Sequence, residues 1–375
     1  MRQQPVWSRV AAAAGLLLRR SGRRRSTRRG RTIAAALGLL LLSLALSPRE
    51  TTRLLATAFA QSADDLIVDI ESPAPDSVVQ GSVPVRGWAV DRNNPPRSGR
   101  GVNARDVQVW LGAPPSGRRL DFAHYGELSQ AAEASIGPGF LSTGFSARWE
   151  TCSFPPGPYE LWVFVSSLGS PDVPGYNRVE VQVAPCAPGT EMYRAAFVDA
   201  AAWPPIVTSE IEAGPEDDGW TMHLKVPDAI SESPPGVFAN FRVEVTTRIV
   251  GASYKRLAYL QFREAPGPTD STSDGYYRFS VDSDFASFDL SRWDGDQDVV
   301  LIPETRRPDV IHGPGLENRL AVVADGSRLQ LLINDVPVGA VDDATYPWGR
   351  VGFGVWANGQ PDATAHFRDF VITMP

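Results

Sequence analysis

Glu244 heads the stretch Glu244-Val245-Thr246-Thr247-Arg248-Ile249, the nearest approach in this chain to a catalytic carboxylate motif. Retaining cleavage of a glycosidic bond uses two carboxyl groups ~5–5.5 Å apart, one as nucleophile and one as acid. A strand can supply them as Glu-x-Asp-x-x-Glu: alternation puts the first two on one face, and a bulge brings in the third. Here Thr246 stands at the Asp position and Ile249 at the last Glu. One carboxylate cannot fill both roles, so that mechanism is excluded. Other catalytic machinery is missing as well: there is no Gly-x-Ser-x-Gly elbow, no His-Glu-x-x-His pair and no phosphate-binding Gly loop. His124, His223, His312 and His366 are scattered singly, and two Cys are too few for a thiolate zinc site.

Asp294, Asp296 and Asp298 have the 1-3-5 spacing of a calcium loop. Such a loop wants Gly at its sixth position and Glu at its twelfth. Val299 and Thr305 stand there, and Glu304 falls one place early. The stretch reads as a solvated acidic turn, with an irregular structural calcium site as the other reading. No cofactor is expected.

A sheet face is the remaining candidate. In three successive segments the apolar residues point one way: Phe241, Val243 and Val245; Ala258, Leu260 and Phe262; Tyr277, Phe279 and Val281. The opposite set is polar or aromatic: Arg242, Glu244 and Thr246; Tyr259, Gln261 and Arg263; Tyr276, Arg278 and Ser280. In GFGVWAN, Gly352, Gly354 and Trp356 share one side, and two glycines beside a Trp leave room for something to approach the sheet. Hydrogen-bonding Arg, Gln and Glu beside a stacking ring is what a sugar requires. Glu244, Tyr259, Gln261, Arg263, Tyr276, Arg278 and Trp356 are therefore the candidate ligand residues. The competing reading is a solvated sheet laced with cross-strand ion pairs.

Positioning these residues takes sheets. From residue 66 onward period-two alternation dominates, punctuated throughout by Gly and Pro, so the fold class is all-β. Residues 66–186 offer LIVDIE, SVPVRGWAVD, RDVQVWL, TGFSARWE, YELWVFVSS and NRVEVQVA, with a seventh strand in RLDFAHY; this is the count of an immunoglobulin-like sandwich. Trp88, Trp149 and Trp162 are expected in its core. Residues 187–375 supply some dozen strand candidates, which calls for two stacked sheets of about six each. Asp325-Gly326 and Asn334-Asp335 interrupt apolar runs as the turn residues of tight hairpins.

The run ESPAPDSVVQGSVPVRGWAVD, then VNARDVQVWL, Gly144-Phe145 and PPGPYELWVFVSS, resembles the Ig-like modules of bacterial surface and secreted proteins. That resemblance implies a spacer or presenter. NRLAVVADGSRLQLLINDVPVGAVDD, then GRVGFGVWANG and AHFRDFVI, is similar to the C-terminal half of a concanavalin A-like lectin/glucanase jelly roll, in particular to laminin-G-like and 3-keto-disaccharide hydrolase-type domains. The fold this implies hosts binding modules and enzymes alike.

Arg-dense residues 1–31 run into the apolar stretch 32–47 and a small-residue exit at Ala58-Phe59-Ala60. Residues 32–60 thus read as a signal peptide, cleaved before Gln61, or as a signal anchor retained in the membrane through residues 32–47. Residues 1–60 hold 12 Arg and one acid, Glu50, which leaves 24 basic and 42 acidic groups, net −18, for residues 61–375. So acidic a chain repels nucleic acid. Outside the cytoplasm Cys152 and Cys186 form either a disulfide or two separate buried thiols. The expectation is an exported, extracellular or cell-surface protein that binds glycan or another extracellular polymer without cleaving it. Open alternatives are a saccharide-processing hydrolase, as the 3-keto-disaccharide hydrolase resemblance implies, and a purely structural wall or adhesion protein.

Overall fold

The computed structural model describes residues 66–92, 107–113, 117–137, 139–166, 174–199, 203–226, 229–251, 255–267, 273–358 and 363–375. The leader reading for residues 1–60 lies outside them. Among the described residues, strands dominate and no helix is long and apolar enough to cross a membrane.

Up to residue 186 the strands are β1 (Leu66–Ser72), β2 (Ser77–Val79), β3 (Ser82–Asp91), β4 (Gln108–Leu111), β5 (Arg118–Phe122), β6 (His124–Glu127), β7 (Gly144–Glu150), β8 (Gly157–Ser166) and β9 (Pro174–Val183). They form a four-stranded sheet, order β1-β3-β7-β6, and a five-stranded sheet, order β2-β9-β8-β4-β5. Alternation drives the stacking. Leu66, Val68 and Ile70 of β1 and Leu161, Val163 and Val165 of β8 turn inward onto Phe145 and Trp149. A short helix, α1 (Gln130–Ile136), is capped by Ser129, whose Oγ accepts from Ala132 N. Against it Trp88 packs with Val90 and Ala132.

Trp162 corrects the sequence reading. It faces outward, because Leu161 and Val163 take the buried side of β8. Its ring lies parallel to that of Phe164 (5.7 Å, 6° between planes) and near Tyr176 and Arg178, while Trp110 meets Phe164 edge-on. The indole N–H groups of Trp110 and Trp162 donate to Gln108 and Glu160 beside them.

The later strands are β10 (Glu191–Arg194), β11 (Ile206–Val207), β12 (Ile211–Glu216), β13 (Gly219–Leu224), β14 (Ala229–Glu232), β15 (Phe241–Gly251), β16 (Lys255–Pro266) and β17 (Ser273–Asp282). They continue with β18 (Ser287–Trp293), β19 (Asp298–Arg306), β20 (Asn318–Asp325), β21 (Arg328–Ile333), β22 (Val336–Asp342), β23 (Arg350–Asn358) and β24 (Ala363–Thr373). One sheet runs β11-β12-β13-β24-β15-β20-β21-β22, with β10 paired to β24; the other runs β14-β23-β16-β17-β18-β19. These two antiparallel sheets make the concanavalin A-like jelly roll, but as nine and six strands rather than about six each. Between them lies one aromatic-rich core, with Phe353 stacked on Trp203 and Phe262 on Tyr277.

The hairpins form as read. Gly326 (φ 54°) turns β20 into β21, and Asn334 (φ 50°) with Asp335 (φ 66°) turns β21 into β22. Asn334 also accepts from Arg319 N and donates to Val310 O, so its side chain is committed to structure.

The two sandwiches share a buried seam. Val237 and Ala239 pack into the core of the first, beside Trp348, whose ring lies 5.7 Å from that of Phe154. Asn240 N donates to Ser153 O at 2.8 Å, Arg119 donates to Gly267 O, and Arg350 pairs with Asp121 at 2.8 Å. Cys152, in the turn between β7 and β8, is disulfide-bonded to Cys186 just beyond β9 (Cα–Cα 5.4 Å).

Candidate functional site

The seven candidate residues do not share one face. β15 lies in the nine-stranded sheet, whereas β16, β17 and β23 lie in the six-stranded sheet. The apolar sides of all four strands converge on the common core, so their polar sides point in opposite directions. Glu244 is therefore on the far side of the molecule from Arg278. Its neighbours there are two guanidiniums, Arg242 and, at 3.7 Å, Arg319.

Arg263 leaves the face too. A bulge in β16 shifts the register on both flanks after Phe262, and Arg263 takes φ 50°. This turns its side chain into the protein, where it is fully buried. It donates to Ala239 O (2.7 and 3.1 Å), Gly326 O (2.8 Å) and Tyr346 O (3.4 Å), tying three loops together. Burial pulls its proton affinity down to about 10, so it remains a cation at neutral pH.

The glycines also behave otherwise than expected. A Cβ on Gly354 would strike the Tyr259 ring and Ile230 O, and one on Gly352 would strike Glu232 O and Ser233 Oγ. The room beside Trp356 is thus filled by the protein's own chain. Tyr259 is buried there, donating its hydroxyl to Ile230 O at 2.9 Å.

What remains is a compact patch on the outer face of the six-stranded sheet. Register aligns Gly352, Gln261, Arg278, Ser291 and Val300 in one row. The adjacent row is Gly354, Tyr259, Ser280 and Asp289, and Tyr276, Trp293 and Asp298 form a third. Gln261, Ser280 and Ser291 are sunk among larger neighbours, whereas Tyr276, Arg278, Asp289 and Trp293 are half-exposed. Arg278 approaches Asp298 at 3.6 Å. Its Nε and the hydroxyls of Ser280 and Ser291 are buried with no hydrogen-bonding partner among the described residues. Burial raises the proton affinity of the Tyr276 phenol. It also raises that of Glu264, which is opposed by Arg350 and by a hydrogen bond from Gln261.

Sequence reasoning missed Ser291 and Trp293 because it did not read SFDLSRW as a strand. Phe288 and Leu290 do alternate with Ser287, Asp289 and Ser291, but Arg292 sits where an apolar residue was expected. Arg292 is there to meet Asp294 (2.7 Å) and Asp343 at the end of the sandwich. Asp294 is bound bidentately by that guanidinium, which holds its carboxyl below the usual range. Among the described residues no three His, Cys, Asp or Glu side chains gather as a metal set. The patch can donate and accept hydrogen bonds beside aromatic rings.

No protein-family model and no curated protein matches the sequence. Among solved structures the chain is similar to the carbohydrate-binding module CBM66 from Bacillus subtilis, at 21% identity over 45% of this chain and 90% of that one, with a TM-score of 0.31. It is similar to a Bacillus subtilis protein of unknown function with a galectin-like fold, at 17% identity over 50% and 97%, with a TM-score of 0.38. It is also similar to the Bacillus licheniformis β-glucanase, at 10% identity over 50% and 99%, with a TM-score of 0.34. The fold assignment rests on sheet order and strand register, independently of these likenesses.

Proposed function

We propose that this is an exported, non-catalytic surface or secreted protein that holds a glycan on the outer face of its six-stranded sheet, with Arg278 and Gln261 as hydrogen-bonding groups and Tyr276 and Trp293 as flanking rings. One observation carries the reading: strand register sets the half-exposed guanidinium of Arg278 and the half-exposed rings of Tyr276 and Trp293 on one face. Sugar hydroxyls both donate and accept, and they suit guanidinium and amide groups. The half-exposed rings of Tyr276 and Trp293 offer the apolar contact that sugar C–H groups need.

The N-terminal sandwich serves as an Ig-like support. Its two sheet orders support that reading, since they match the A-B-E-D and G-F-C arrangement of immunoglobulin sandwiches. Export is supported by the Arg-rich, apolar leader pattern and by the Cys152–Cys186 bond, which belongs to oxidising compartments.

The test is affinity electrophoresis and calorimetry of the full chain against soluble bacterial, plant and mucin polysaccharides. Binding is expected to fall at least tenfold in Arg278→Ala and in Trp293→Ala, and to be unchanged in Glu244→Ala. Silence across the panel, or equal binding by Arg278→Ala, would overturn the reading.

A further inference from the structure

On the opposite side of the molecule, a cleft of about 220 Å³ opens on the outer face of the nine-stranded sheet. The β12–β13 turn, with Glu216, Asp217 and Asp218, forms one wall; Thr221, His366 and Arg248 line the floor from β13, β24 and β15. Register puts Thr221 and Arg248 on either side of His366. This site shares no residue with the Arg278 patch.

The hydrogen bonds fix the state of the imidazole. Thr221 Oγ1 lies 2.5 Å from Glu216 Oε2 and 3.1 Å from His366 Nδ1. The carboxylate only accepts, so the single hydroxyl proton of Thr221 goes to Glu216, and Nδ1, which also lies 3.4 Å from Glu216 Oε2, carries a proton toward these two oxygens. Nε2 is left as an acceptor. Burial and the adjacent Arg248 charge lower the proton affinity of His366 against the opposing pull of Glu216 and Asp217, and so favour the neutral ring over the cation.

The charges around the cleft select the ligand. Glu317 is taken up by Arg368 at 2.6 Å, and Asp218 lies 3.9 Å from the same guanidinium. Four acids against Arg248 and Arg368 leave the lining net negative, which disfavours phosphates, sulfates and uronates. An ammonium would be drawn by that net charge, but it has only donors and cannot accept from Arg248. A neutral hydroxyl is both donor and acceptor: it can give to Nε2 or Glu216 while taking from Arg248. By water-volume counting, at ~30 Å³ each, the cleft has room for roughly one sugar ring.

We propose that this cleft is a second saccharide site that seats a single neutral sugar residue, with His366 Nε2 as hydroxyl acceptor, Arg248 as donor, and Thr221 as a positioning residue that sets the imidazole tautomer. Its ligand class rests on the saccharide reading above, but its residues are independent of the Arg278 patch. A neutral pyranose reaching from a glycan terminus into this cleft, while its chain lies elsewhere, would make the protein bivalent.

The experiment uses the full chain and a panel of methyl glycosides of glucose, galactose, mannose and N-acetylglucosamine. Histidine imidazole nitrogens are followed by 1H–15N NMR. In the free protein His366 is expected as the Nδ1–H tautomer, and at least one glycoside shifts Nε2. His366→Ala and Arg248→Ala weaken that glycoside at least tenfold; Arg278→Ala leaves it unchanged. Thr221→Val changes the tautomer population and weakens binding several-fold. No movement of His366 with any glycoside, or full affinity in His366→Ala, overturns the second site and leaves the Arg278 patch untouched. Loss of polysaccharide binding in neither His366→Ala nor Arg278→Ala removes the first reading.

Discussion

Arg350 on β23 meets Asp121 on β5 at 2.8 Å, a contact that crosses from one sandwich to the other. Around it lie Trp348, Phe154, Val237 and Ala239, so the crossing is packed as well as paired. The N-terminal sandwich is therefore mounted on the jelly roll. Trp348→Ala removes the ring that both sides grip and is expected to destabilise the junction by about 2 kcal/mol. Calorimetry should then resolve two unfolding transitions where the native protein shows one. A single transition in the variant at the native midpoint would refute the shared seam.

Ser280 and Ser291 give a sign test for the buried layer beneath the Arg278 patch. A buried hydroxyl without a partner contributes nothing to folding, so Ser280→Ala and Ser291→Ala should leave the melting temperature unchanged or slightly raised. Both hydroxyls lie below the accessible surface, so polysaccharide affinity should stay within about twofold. If these hydroxyls serve structure instead, stability falls, which unfolding curves read directly.

Arg263 should behave in the opposite way. Its guanidinium satisfies three carbonyls in the protein interior, and Arg263→Met leaves them buried and unbonded. The expected cost is about 3–5 kcal/mol, measured by urea unfolding, with glycan affinity of the folded fraction unchanged. Arg263→Lys should recover little, because an ammonium cannot span the same fork.

Glu232 on the edge strand β14 sets a pH dependence. Burial raises its carboxyl from 4.5 to about 7, and its Oε1 has no partner among the described residues. Between those values the folded state keeps a proton that the unfolded chain has released. The stabilisation is therefore complete below the unfolded value and is lost as pH rises through about 7. Glu232→Gln holds the neutral form throughout. At pH 8 it should melt about 2 °C above the native protein, the order expected of ~1 kcal/mol after allowing for the partial exposure of the side chain. At pH 4 the two curves should coincide.

Much of the architecture was legible because alternation reports which side of a strand is apolar. The turn chemistry at Gly326 and Asn334-Asp335 was legible for the same local reason. Alternation does not report which sheet a strand joins. β15 and β16 follow one another and both turn apolar sides to one core, a pattern that is the same whether they lie in one sheet or face each other across it. Glu244 was placed beside Arg278 on that account. Arg263 was misplaced because a positive φ at a non-glycine residue leaves no mark in the sequence. Trp162 was misplaced because an aromatic residue on an outward face reads the same as one in the core. The cleft at His366 was illegible for a further reason: Glu216, Thr221 and His366 meet only through strand register, with the last two 145 positions apart in the chain.

The Cys152–Cys186 bond fastens the turn that receives Asn240 and Trp348. A pull on β1 is thus carried across a cross-linked bracket and not along a slack tether. The outer face of the six-stranded sheet then keeps a set bearing relative to β1. Two such molecules side by side would offer their faces in parallel, like tiles hung from the same peg.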